Sequence, residues 1–153
     1  MTTPVPTTEP LLAATETALR IMREHHLYAR ALHVDADGLG EGERRARIQL
    51  FMYSQPGAFL EWCRFLKPGN VFIERREHDT CLHLWRDFEG FTWSINGAVT
   101  RRLTKVRGLP GITIDWIRQP SGRPGDTAWV PRADFERALS GVLAEALRET
   151  LAT

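Results

Sequence analysis

Five tryptophans lie inside segments whose patterning already marks them as packed structure. Trp62 sits on a short apolar stretch with helical spacing. Trp85, Trp93, Trp116 and Trp129 fall on successive stretches that alternate in strand fashion. Large aromatics favour pleated, half-buried surfaces, so a chain that places them this way is building a sheet with a face to cover. That constrains the fold. It does not name a reaction.

At 153 residues, with 42% apolar and 25% charged residues, the chain is expected to form one domain with its own core. The net charge of +1 exerts no global pull toward nucleic acid or an anionic membrane. Its distribution is uneven. Between Arg64 and Arg132 there are 12 Lys and Arg against 7 Asp and Glu, and each flank carries −2. Arginines outnumber lysines 18 to 2, an excess that runs through the whole chain and fits a GC-rich coding bias as well as it fits recognition.

The segment 1–8, Thr- and Pro-rich, reads as a flexible tail, and 9–153 as a single α+β domain. A helix is expected to start at Thr8-Glu9-Pro10, with Thr8 as N-cap, and to stop near His25-His26. Leu27 to Val34 is read as a strand, Asp35 to Glu43 as a loop, and Ala46 to Met52 as the second strand of a hairpin. Ser54-Gln55-Pro56-Gly57 opens a second helix, closed by Lys67-Pro68-Gly69. Strands follow at Val71–Arg76, Thr80–Phe88 and Phe91–Asn96, the last two joined at Glu89-Gly90. Asn96-Gly97 is a strong turn signal, which makes Val99–Leu103 a return strand. Ile112, Ile114 and Trp116 mark a further strand, and Thr127–Val130 a short one. A final helix carries the apolar stripe Phe135, Ala138, Leu139, Val142, Leu143, Ala146 and Leu147, with Pro131 in its first turn. The expected architecture is a mostly antiparallel sheet of about six or seven strands, covered on one face by the N-terminal, middle and C-terminal helices.

No assembled reactive group emerges. His33-Val34-Asp35-Ala36-Asp37-Gly38 brushes against a calcium loop, but position twelve is Arg44 or Ala46, where a bidentate Glu is required. His78, Cys81 and His83 concentrate ligand types without the paired sets that structural zinc uses, so no metal is expected. Cys63 and Cys81 read as free thiols. No nucleophile elbow, phosphate-cradling loop or dinucleotide fingerprint is present. The expectation is therefore a chain with no catalytic residues, no cofactor and, more readily than not, no enzymatic activity.

The basic, aromatic middle is the remaining candidate. Arginine beside aromatics on a sheet suits single-stranded nucleic acid, and the same residue types anchor protein interfaces. The plainer reading is a solvated face of Arg, Thr and Glu with the aromatics turned inward. Alternation supports that reading for Phe91, Trp93 and Ile95. Trp85, in phase with Cys81 and His83, is left over. The candidate binding residues are His83, Trp85, Arg86, Arg101, Arg102 and Arg118.

With no basic start followed by an apolar core at the N-terminus, and no ~20-residue apolar run, a cytoplasmic location without membrane association is expected. In size and layout the chain is similar to many small bacterial accessory proteins, immunity-type proteins among them. The expected function is non-catalytic binding of a macromolecular partner, most readily a protein. The alternatives are single-stranded nucleic-acid binding through the middle segment, and a small enzyme or metal protein using His78, Cys81 and His83.

Overall fold

The computed structural model describes residues 8–35, 46–53, 55–76, 79–100, 125 and 127–152. In chain order the elements are α1 (Glu9–His25), β1 (Ala31–Asp35), β2 (Arg47–Met52), α2 (Pro56–Leu66), β3 (Asn70–Arg75), β4 (Asp79–Phe88), β5 (Phe91–Thr100), β6 (Thr127–Pro131) and α3 (Arg132–Ala152). The six strands form one sheet in the order β1-β2-β5-β4-β3-β6. Every neighbouring pair is antiparallel except β2 and β5, which run parallel. Among the described residues the layout is α+β, with three helices and a mixed, mostly antiparallel sheet. No described helix is long and apolar enough to cross a membrane.

Helix ends obey local chemistry. Pro10 stands in the first turn of α1, where its missing N–H is no loss. Thr8 occupies the cap position, but its hydroxyl makes no capping bond; its carbonyl instead accepts from Leu11 and Leu12 N–H. The helix stops at His26, which takes the left-handed conformation at φ 52° while Leu27 N–H bonds back to Met22 O at 3.0 Å. Lys67, at φ 50°, ends α2 in the same way. β1 is shorter than its sequence suggested. Pairing begins only where Arg30 N–H reaches Phe51 O at 2.9 Å, so Leu27 to Arg30 serve as a connector from α1.

The β4–β5 hairpin turns at Glu89-Gly90, as the spacing predicts. Both residues have positive φ (48° and 81°), the combination a two-residue turn needs to match strand twist. The Asn96-Gly97 turn does not form. β5 continues unbroken from Phe91 to Thr100, paired along its length with β4. Gly97 serves packing instead: a Cβ placed there would stand 3.0 Å from Phe59 Cδ2, so β5 and α2 approach as closely as they do only because that atom is missing. The residues of the expected return strand beyond Thr100, and the strand expected around Trp116, lie outside the described residues.

Register sorts each strand into two faces. One face carries Ile48, Leu50 and Met52 of β2, Trp93, Ile95 and Val99 of β5, Leu82 and Leu84 of β4, Val71 and Ile73 of β3, and Val130 of β6, all buried. Phe59 and Trp62 of α2 are fully buried in the same cluster, as are Ala14, Ala18 and Ile21 of α1; Phe135 and Leu139 of α3 are nearly so. Trp62 and Trp93 meet at 5.8 Å between ring centroids, and Phe59 stands edge-on to Phe135 at 5.6 Å. Each buried indole has a carbonyl for its N–H: Trp62 Nε1 donates to Tyr28 O at 2.8 Å and Trp93 Nε1 to Phe88 O at 2.9 Å. A buried donor left without an acceptor costs about 1–3 kcal/mol, so these bonds belong to the core as much as the rings do. Pro131 closes β6 rather than opening the last helix; α3 begins one residue later.

Candidate functional site: the second face of the sheet

The opposite face of the same strands is where the aromatics that the core did not take are gathered. The pairing register sets Phe51, Asn96, His83, Phe72 and Trp129 in one row across β2, β5, β4, β3 and β6. Trp85 lies two residues along β4 from His83, on the same face. Four rings form a contiguous cluster. Phe72 stands 4.9 Å from Trp129, 5.9 Å from His83 and 6.1 Å from Trp85 between centroids. His83 stacks on Trp85 at 5.9 Å, and Trp85 meets Trp129 at 5.8 Å and 47°. Trp85 is 45% and Trp129 62% exposed. Neither outer indole N–H donates to any described residue, in contrast to the two buried ones.

A polar hinge separates this cluster from a second aromatic pair. Asn96 Oδ1 lies 2.7 Å from His83 Nδ1, while Asn96 Nδ2 faces Leu50 O at 3.4 Å and Ser94 Oγ at 3.3 Å. With the amide nitrogen donating on one side, the amide oxygen accepts on the other, so Nδ1 carries the proton of this bond. Beyond Asn96, Phe51 stacks on Tyr53 at 6.0 Å, and the Arg30 guanidinium lies 5.5 Å from the Tyr53 ring centre. Between the two aromatic groups is a cavity of about 210 Å³, walled by Phe51 and Tyr53 on one side and Cys81 and His83 on the other, with Arg76 and Asp79 at its rim.

The charges of this face largely answer one another. Arg47 bonds Asp35 at 3.0 Å, Arg76 lies 3.5 Å from Glu74, and Thr92 Oγ1 donates to Asp87 at 3.0 Å. Neither cysteine offers a thiolate. Burial, helped by the Glu136 carboxylate and opposed by Arg132 and Arg64, pushes the Cys63 thiol up to about 12. Burial and then the Asp79 carboxylate raise Cys81 as well, whose Sγ is 4.0 Å from Asp79 Oδ1. A protonated thiol is a poor nucleophile and a poor metal ligand. Among the described residues no three His, Cys, Asp or Glu side chains converge as a metal site would require.

Of the residues singled out from sequence, the fold brings His83 and Trp85 together on this face. Arg86 is separated from them: strand alternation puts it on the other side, where Nη1 donates to Lys67 O at 2.9 Å. Arg101, Arg102 and Arg118 lie outside the described residues, as do His78, Trp116 and the acidic loop beyond Asp35. Trp93 turns inward as its alternation predicts, Trp85 is left on the outer face as its phase with Cys81 and His83 indicates, and Trp129 joins it there. Phe72, Trp129, Phe51, Tyr53 and Asn96 were not picked out beforehand as binding residues. For Phe72 the signal was present in another form. Val71-Phe72-Ile73 is apolar without alternation, the mark of a central strand with an apolar load on both faces. The chain matches no family model, no curated protein and no solved structure.

Proposed function

We propose that this chain is a non-catalytic cytoplasmic protein whose three helices roof one face of the sheet and whose second face docks a partner protein. The observation that carries the reading is the cluster of exposed Trp85 and Trp129 with half-buried Phe72 and His83, and its two indole N–H groups that serve nothing within the described fold. Exposed tryptophans that are contiguous, rather than scattered, mark recognition surfaces, and Trp is the commonest anchor of protein interfaces. Charge argues for a protein over a nucleic acid. A strand of phosphates needs unpaired cations beside the stacking rings; of the described arginines on this face, Arg47 and Arg76 are engaged by Asp35 and Glu74, and Arg30 lies over Tyr53 rather than beside the Trp85–Trp129 cluster.

The test is a comparison between wild type and the double variant Trp85→Ala/Trp129→Ala in the native host, with crosslinking and recovery of tagged protein. A specific partner held by the wild type and lost by the variant, with the variant still folded cooperatively at the assay temperature, supports the reading. A partner retained equally by both refutes it. Binding of oligonucleotides that falls steeply with added salt would instead favour the nucleic-acid alternative.

A further inference from the structure

We infer that the occupant of this face is a proline-rich segment of the partner in the polyproline II conformation, an inference that rests on the docking reading above. Three observations converge on it. The first is size. Five interstrand steps of about 4.8 Å span roughly 24 Å, and the shorter strands run about 17–20 Å. The projected face is about half of the ~800 Å² per side of a standard interface between folded proteins. An extended segment of about eight residues at 3.1 Å each spans the same width.

The second is hydrogen bonding. A polyproline II segment has no internal hydrogen bonds, so its carbonyls arrive as free acceptors. The Trp85 and Trp129 indoles supply donors, and they are the two described indoles without an acceptor, while Trp62 and Trp93 each have one. A strand-forming ligand would present N–H groups as well, and would pair with a sheet edge rather than lie across ring faces.

The third is spacing. Trp85 and Trp129, in contact at 5.8 Å and tilted by 47°, lie on either side of β3 with Phe72 against both. The cavity between Phe51 and His83 lies over β5. These strands are two steps apart in the sheet, about 10 Å. Residues three apart in polyproline II are about 9 Å apart on one edge. One proline packs on the exposed faces of the two indoles, and the residue three positions away enters the cavity. The aromatic part of this floor suits uncharged pyrrolidine rings, and the conformation is already set in the free peptide, which lowers the entropic cost of binding.

The experiment is two-dimensional ¹⁵N NMR of the full chain, following the indole Nε1–H signals assigned by single Trp→Phe variants. The probes are deca-proline, a Gly-Ser decamer and a dodecameric oligothymidylate, each taken to millimolar concentration. The expected result is that deca-proline moves the Trp85 and Trp129 signals saturably, leaves those of Trp62 and Trp93 in place, and outcompetes the Gly-Ser peptide. Trp129→Ala should weaken deca-proline binding about tenfold. Trp129→Phe, which keeps a ring and removes the N–H, should weaken it by a smaller factor. Equal response to the Gly-Ser decamer, movement of the buried indoles, or no response to deca-proline overturns the inference. If the oligothymidylate alone moves the outer signals, nucleic acid is the occupant and the protein-docking reading falls too. If the outer signals move with the concentration of the chain alone, a second copy is the occupant, which overturns the proline assignment and leaves docking at this face intact. Silence with every probe overturns the proline assignment, and the host comparison of wild type with the Trp85/Trp129 double variant then decides the docking reading separately.

Discussion

Replacing Gly97 with alanine is the sharpest test of how the sheet and α2 fit together. The added Cβ would lie 3.0 Å from Phe59 Cδ2 and 3.3 Å from Phe59 Cβ and Cγ. Carbon atoms in contact prefer about 3.5–4.0 Å, so either the ring or the strand must give by about half an ångström. The ring has little room to do so. Phe59 is fully buried and stands edge-on to Phe135. The near atoms are the root of the side chain, not its far end, so a rotamer change gives little relief. Overpacking of this kind costs about 1–3 kcal/mol. Alanine recovers about 0.4–1 kcal/mol by restricting the unfolded chain. The net expectation is a loss of about 1–2 kcal/mol, a fall in melting temperature of about 3–6 °C for a chain of this length. Calorimetry and urea unfolding measure it. Gly141→Ala is the control: nothing lies within 4 Å of its added methyl, and a helix position should gain about 0.5–1 kcal/mol. Phe59→Leu combined with Gly97→Ala should recover part of the loss, a coupling that independent sites would not show. A Gly97→Ala protein as stable as wild type would mean that β5 and α2 do not approach at this point, and that the register argument for the second face lacks its anchor.

The two tryptophan populations should respond oppositely to truncation. Trp93→Ala is expected to cost about 3–5 kcal/mol in urea unfolding. Trp129→Ala should cost less, about 1–3 kcal/mol, the worth of its two ring contacts. The Cys63 thiol, raised from 9.0 to about 12, binds its proton more tightly in the folded state. Its stabilisation is complete below pH 9, where both states are protonated, and is lost as pH rises from there toward 12. Cys63→Ala should therefore flatten the alkaline decline of the melting temperature, and wild-type Cys63 should resist a thiol reagent at pH 8. His26→Gly, at a left-handed cap, should raise stability by up to about 1 kcal/mol, checked by thermal unfolding.

The sequence was most legible where one local rule acts alone. Pro10 and Pro56 in first turns placed two helix starts correctly, and alternation over Ile48-Leu50-Met52 or Trp93-Ile95 placed strands, because it reports a single buried face. It was least legible where tertiary contact overrides a local preference. Asn96-Gly97 carries the best hairpin dipeptide in the chain, yet Phe59 needs the missing Cβ and His83 needs the Asn96 amide, so the strand runs through. Arg86 was grouped with Trp85 as a neighbour in sequence, although adjacent strand residues face opposite ways. Phe72 and Trp129 could not be placed on one face without knowing that β6 returns to pair with β3, a connection no local pattern encodes.

That return also bears on how a ligand is held. β6 is an edge strand among the described residues, and Trp129 at its centre is the most exposed large apolar side chain described. An exposed edge bearing a large ring invites strand-to-strand aggregation. β6 is only five residues long and ends in Pro131, which has no N–H to offer a further strand. The edge is therefore a poor template for another strand, while the ring faces beside it remain open. A surface that blunts its edge and keeps its rings accessible selects ligands that lie across the strands and contribute rings and carbonyls over ligands that extend the sheet. This sets face docking apart from β-augmentation. Main-chain amide exchange along β6 should stay unchanged on ligand binding while the indole signals move. Protection gained along β6 amides instead would show that the partner adds a strand.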